Sequence, residues 1–228
     1  MEELWQGFIK ALELIFTFDP EVMEVSGRSL AIAATSCGIA SILCLPLGSL
    51  IHFSRFRGKR LLINIIQTFY SIPTVAVGLF IFVLFSSAGP LGGLNLLFTP
   101  TVMVIGQVFL VTPVILGLTI SALSGVDKAI PETAISLGAS RFQAAIITIK
   151  HARFAVLTAV IMGFGRAVSE VGLALMVGGN IKGFTRTLTT AISLETSKGD
   201  IELSLALGMV LILIALVINL SLNRLQQR

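Results

Sequence analysis

Arg166 and Glu170 stand out, because they are the charged residues between Phe154 and Ile181 in an otherwise apolar stretch. They lie four apart, so on an unbroken helix they share a face and can neutralise one another. A charge at mid-bilayer costs about 2.5–3.5 kcal/mol on insertion scales, and such residues point at protein or at a watery cavity. Two readings stay open: a structural pair, or an element of a pore or gate. Catalysis is a poor fit. An intramembrane hydrolase needs a nucleophile with a base, or a metal, at one depth, and here a single acid sits beside an arginine. His52 and His151 fall at segment boundaries, where interfacial roles suit them. Cys37 and Cys44 lie seven apart in an apolar run, match no usual metal spacing, and share a helix face as small packing residues. No cofactor is read from the sequence, and no Gly-x-x-x-x-Gly-Lys-Ser/Thr stretch for ATP is present.

These residues need elements to hold them, and composition says what kind. Hydrophobic residues make up 55% and charged residues 12%, about half the charge of a soluble domain; mean hydropathy is +0.96. Residues 30–51, 61–126 and 203–223 carry no charge at all. Such runs reach the roughly 20 apolar residues that cross a hydrocarbon core. The expected fold is an all-α integral membrane protein with five transmembrane helices, near 29–53, 61–85, 98–122, 153–178 and 203–223. A turn-forming stretch, Ser86–Gly93, separates the second and third. Pro46, Pro73 and Pro113 fall inside spans, which bilayer helices tolerate when neighbours satisfy the freed carbonyls. Without an internal repeat, residues 1–228 read as one domain. The acidic N-terminus lacks the basic start of a signal peptide. Residues 4–16 place Leu4, Trp5, Phe8, Ile9, Leu12, Ile15 and Phe16 at helical spacing, an amphipathic helix lying on the outer leaflet or packed on the bundle.

Charge orients the bundle. Residues 54–60, 123–153 and the C-terminal tail carry a net +8, the remaining loops −4, with Arg166 and Glu170 left in the membrane. This puts the N-terminus outside and the C-terminus inside. The pI of 9.4 then reflects basic cytoplasmic loops on a bilayer rather than nucleic-acid binding.

The loop between the third and fourth spans has its own local structure. Pro131 suits the start of a helix, Glu132 complements its dipole, and Gly138 ends it in a left-handed turn. Ser140 with Gln143 forms a capping box that opens a second helix. Two short helices with a fixed elbow make a docking surface for a cytoplasmic partner.

In this loop the chain resembles ABC importer permeases, whose signature is Glu-Ala-Ala, three residues, Gly, nine residues, then Ile-x-Leu-Pro. Glu132, Ala134 and Gly138 match, with Thr133 for the first alanine. Thr148-Ile149-Lys150-His151 stands where Ile-x-Leu-Pro is expected, so the proline break before the next span is missing. The resemblance implies that Glu132, Thr133, Ala134, Gly138, Ala139 and Ser140 couple to a separate cytoplasmic ABC ATPase subunit. Gly165-Arg166-Ala167-Val168-Ser169-Glu170-Val171-Gly172, Gly179-Asn180-Ile181 and Thr185–Ile192 are similar to elements of molybdate, sulfate and tungstate permeases, the last most like the tungstate branch. Tyr70–Gly78, with Pro73, resembles the pore segment of that group. The likeness covers about residues 27–223. It implies a homodimer with a second permease copy in a prokaryotic plasma membrane, fed by an extracytoplasmic oxyanion-binding protein, with Arg166, Glu170 and Pro73 at the pore or gate and no covalent chemistry. Tungstate is the expected cargo, with molybdate, sulfate and vanadate as alternatives. A secondary carrier would show an internal repeat, which the sequence lacks.

Overall fold

The computed structural model describes residues 2–226, and helices account for all regular structure in them. The helix α1 (Glu2–Phe16) leads into α2 (Pro20–Phe53). Asp19 caps α2 by accepting from Val22 N at 3.0 Å, and Pro20 occupies its first turn. There follow α3 (Lys59–Thr68), α4 (Thr74–Phe85), α5 (Pro100–Ser124), α6 (Ala129–Ser136), α7 (Arg141–Val168), α8 (Gly172–Gly178), α9 (Leu188–Lys198) and α10 (Ile201–Gln226).

Four of these helices, α2, α5, α7 and α10, are long and apolar enough to cross a membrane. The second expected span, 61–85, is divided. Lys59–Ser71 and Thr74–Phe85 meet at 95°. Proline explains the corner: Pro73 lacks an N–H, and the residue before a proline is driven out of the helical region. Ile72 accordingly has φ −63° and ψ 131°.

The fourth expected span, 153–178, is corrected at both ends. α7 starts at Arg141, because no proline interrupts Thr148–His151, and the second loop helix continues into the membrane without a break. It stops at Val168, and α8 begins only after Ser169–Val171.

The core is built where α2, α5 and α7 pack. α2 presents Ala33, Cys37, Ala40 and Cys44 to Val111 and Ile115 of α5. Small residues at spacings of four and three let helix backbones approach, which is how helices associate without a hydrophobic driving force. Both cysteines are free and buried, with their thiols donating to Val160 O at 3.3 Å and Thr112 O at 3.6 Å.

The amphipathic helix expected over 4–16 is present as α1. It does pack on α10: a Cβ on Gly7 would stand 2.8 Å from Leu205 Cβ, and Leu14 is buried. The apolar stripe, however, faces outward, with Trp5, Phe8, Ile9, Leu12 and Phe16 exposed.

Candidate functional site

Two regions carry the residues singled out in the sequence, at opposite ends of α7. At its start is the elbow. α6 ends at Ser136, and Gly138 takes φ +93°, a left-handed value that only glycine adopts freely. Gly138 N donates to Ile135 O at 2.9 Å and Ala139 N to Ala134 O at 3.0 Å. This is the pair of bonds that satisfies the last carbonyls of a helix closed by glycine. Ser140 then caps α7: Gln143 N donates to Ser140 Oγ at 3.3 Å, and Ser140 N donates to Gln143 Oε1 at 2.7 Å. The elbow is therefore fixed by its own bonds. Pro131 lies in the first turn of α6, two residues after its start at Ala129. Thr133, Ala134, Gly138 and Ala139 line an open groove of about 720 Å³ with Gln143 and Ile146, while Glu132 and Ser140 are exposed beside it. Sequence reading missed the residues that make this surface sticky: Leu137 is 84% exposed and Phe142 75%. Their signal was two large apolar side chains flanking a turn glycine.

At the other end of α7 lie Arg166 and Glu170. They line one cavity of about 500 Å³ between α5, α7 and α10. The expected ion pair is absent. No described ion pair involves either residue. The i, i+4 geometry requires a continuous helix, and α7 ends between them. Glu170 instead serves α8: its Oε1 accepts from Leu173 N at 2.8 Å, and its backbone carbonyl accepts from Thr189 Oγ1 at 2.7 Å. A carboxylate at a helix N-terminus satisfies an orphan N–H and complements the dipole. Glu170 is buried, whereas Arg166 is half-buried and its Nε has no hydrogen-bond partner.

Pro73 does not line that cavity, but its helix touches the same break. A Cβ on Gly172 would stand 2.8 Å from Val75 Cγ2 and 3.2 Å from Thr74 Oγ1, and one on Gly78 would stand 3.0 Å from Leu173 Cα. α4 and α8 thus start side by side in near-backbone contact. Gln107 of α5 steadies the end of α7, its Nε2 donating to Ala167 O at 3.2 Å. Beyond α8, Thr185 Oγ1 donates to Gly178 O and accepts from Ile181 N, and Asn180 Nδ2 donates to Thr190 O at 3.3 Å. The Gly-Asn-Ile element and the threonine-rich element are thereby tied together between α8 and α9, the threonines buried and Gly179 and Ile181 exposed.

On the outer side as the charge split reads it, Glu21 of α2 pairs with Lys182 at 2.7 Å and Arg186 at 3.5 Å. Arg28 pairs with Glu24 and donates to Arg186 O at 2.9 Å. This connection is therefore pinned to α2.

Residues 44–228 match the family described as binding-protein-dependent transport system inner membrane component. The chain belongs to that family. It is 40% identical over the whole of both chains to the tungstate uptake system permease protein TupB of Peptoclostridium acidaminophilum. It is 36% identical to a probable anion ABC transporter permease protein of Haloferax volcanii, over 87% of this chain and 88% of the other. A sulfate transport system permease protein CysW of Escherichia coli matches at 27%, over 83% of this chain and 68% of the other. Among solved structures, a bacterial alginate ABC transporter in complex with an alginate-bound periplasmic protein superimposes with TM-score 0.78 at 18% identity, covering 100% of this chain and 87% of the other. The MetNI methionine ABC transporter superimposes with TM-score 0.73 at 16% identity, covering 91% and 95%. The fold is that of ABC permeases, and this family member is a multi-pass membrane protein that acts as a transport component.

Proposed function

We propose that this chain is the permease subunit of an ABC importer for tungstate. The observation that carries the cargo is the 40% identity to a tungstate uptake permease across the full length of both chains. Two copies pair around a translocation path in a prokaryotic plasma membrane. An extracytoplasmic binding protein delivers the oxyanion, and a separate cytoplasmic ATPase docks on the elbow between α6 and α7. The N-terminus lies outside and the C-terminus inside, which the loop charges of +8 and −4 favour. Glu132, Thr133, Ala134, Gly138, Ala139 and Ser140 form the docking elbow, and the exposed Leu137 and Phe142 supply apolar contact area there. Arg166, Glu170 and Pro73 belong to the pore region.

Reconstitution tests the reading. Proteoliposomes holding this chain with its ATPase and binding protein should accumulate tungstate in an ATP-dependent way. A tenfold excess of sulfate should compete poorly. Uptake of sulfate in preference to tungstate would overturn the cargo, and uptake without an ATPase would overturn the class.

A further inference from the structure

One exposed face of α7 differs from the isoleucine- and leucine-rich faces that α2 and α10 expose. α2 exposes Ile39, Ile42, Leu43, Leu47 and Leu50, and α10 exposes Ile212, Leu213 and Leu216. Those are surfaces for lipid. Along one face α7 exposes His151, Ala155, Thr158, Met162 and Gly165, at spacings of four, three, four and three, and its C-cap Ser169 follows four residues on. A face whose one large apolar side chain is Met162, the rest being polar or small, suits water better than acyl chains. A Cβ built on Gly165 meets nothing within 4 Å, so space lies open in front of it. Arg166 stands at the end of this face, in the cavity it shares with Glu170.

The two charges in that cavity are not equivalent. Glu170 is committed to Leu173 N, at the start of α8. Arg166 has no ionic partner among the described residues, and its Nε is unsatisfied. A guanidinium presents a planar fork of donors that matches an oxyanion. We infer that the exposed face of α7 is a wall of the translocation path, and that Arg166 is a transient binding residue on it for a tetrahedral oxyanion. This rests on the reading of the chain as an oxyanion permease. The Glu170 carboxylate in the same cavity keeps the hold weak. A path site must bind well enough to admit its ion and loosely enough to release it.

The test uses the assembled transporter in proteoliposomes, with wild-type tungstate uptake measured first; failure there counts against the functional reading itself. Cysteines are placed singly at Met162 and Gly165 on the face and at Leu43 on the lipid side, with wild type, whose own cysteines are buried, as the blank. A charged thiol reagent should modify positions 162 and 165 at least tenfold faster than 43, and modification at 165 should block uptake. Arg166→Gln should lower tungstate uptake at least tenfold at equal assembled complex, and Arg166→Lys should recover part of it. Uptake within twofold of wild type in Arg166→Gln would overturn the role of Arg166 while leaving the permease standing. If Arg166→Gln does not assemble, labelling decides: positions 162 and 165 no more reactive than 43 would overturn the wall.

Discussion

Glu170 holds the start of α8 through its side chain and the threonine loop through its carbonyl. Removing the side chain strips a helix of its cap, which costs about 0.5–2 kcal/mol. Glu170→Gln keeps an oxygen for Leu173 N, so Glu170→Ala should lower the thermal midpoint of the purified complex further than Glu170→Gln does. An equal loss in the two would remove the capping role. Arg166 and Glu170 make no ion pair, so neither substitution should rescue the other. The double variant Arg166→Gln/Glu170→Gln should be no more stable than the less stable single variant in unfolding measurements. Stability restored in the double variant would reinstate the pair. The spacing of these two residues was legible in the sequence, and their place in one site was too. Their relation was not, because it depends on where α7 stops. Past that stop Gly172 seats against Thr74 and Val75, nearly a hundred positions away, a contact that no local pattern reports.

At the scale of the element, the elbow between α6 and α7 was readable because its causes are local. A turn glycine and a serine with a glutamine three later act within a few residues, and both behave as the sequence implied. The missing proline after the loop was equally visible, and its result is an uninterrupted α7. The corner at Pro73 was half legible: the proline marked the place, but a bend and a tolerated kink look alike until packing chooses. Gly138 has nothing within 4 Å of an added Cβ, so a substitution there is penalised by backbone conformation alone. A left-handed residue with a Cβ costs about 1–2 kcal/mol. Gly138→Val should leave membrane insertion intact while ATPase co-purification and uptake fall together. Gly138→Asn, which tolerates the left-handed region, should keep most of both. Normal assembly and uptake in Gly138→Val would show that the ATPase docks elsewhere.

For the whole molecule, the proposed orientation rests on where the cations sit, and two positions far apart in the fold test it. Ser140 is exposed at the elbow, and Gly93 is exposed with open space around it in the loop between α4 and α5. Gly92 is unsuitable, since its Cβ would stand 2.3 Å from Ser86 O. In sealed right-side-out cells, an impermeant thiol reagent should reach a cysteine at 93 and miss one at 140. The opposite pattern would invert the bundle and move the docking elbow to the outer face. Four of the five expected spans fall on helices long and apolar enough to cross, because length and apolarity are read directly from sequence; the remaining one, 61–85, is two helices meeting at 95°. The sequence left two placements of α1 open, on the outer leaflet or on the bundle, since periodicity shows that a helix has two faces but not which one its neighbour takes.

α7 runs unbroken for 28 residues from the capped elbow to Val168, about 42 Å at ~1.5 Å per residue. The elbow and Arg166 are therefore two ends of one continuous helix. In the proposed transporter, a tilt imposed at the elbow would reach the depth of Arg166 with no relay of side chains between them. The joint at residues 169–171 would then turn that tilt into a shift of α8 together with α4. Such a machine fails in a characteristic way when the helix is made to flex midway. A proline at Ala155 would kink the rod, at a cost of about 3 kcal/mol. The engine should then run unloaded: in Ala155→Pro transporters that still assemble, ATP turnover should persist while tungstate uptake stops, as in a slipped clutch. Uptake and hydrolysis falling in equal proportion would show that force travels by another route.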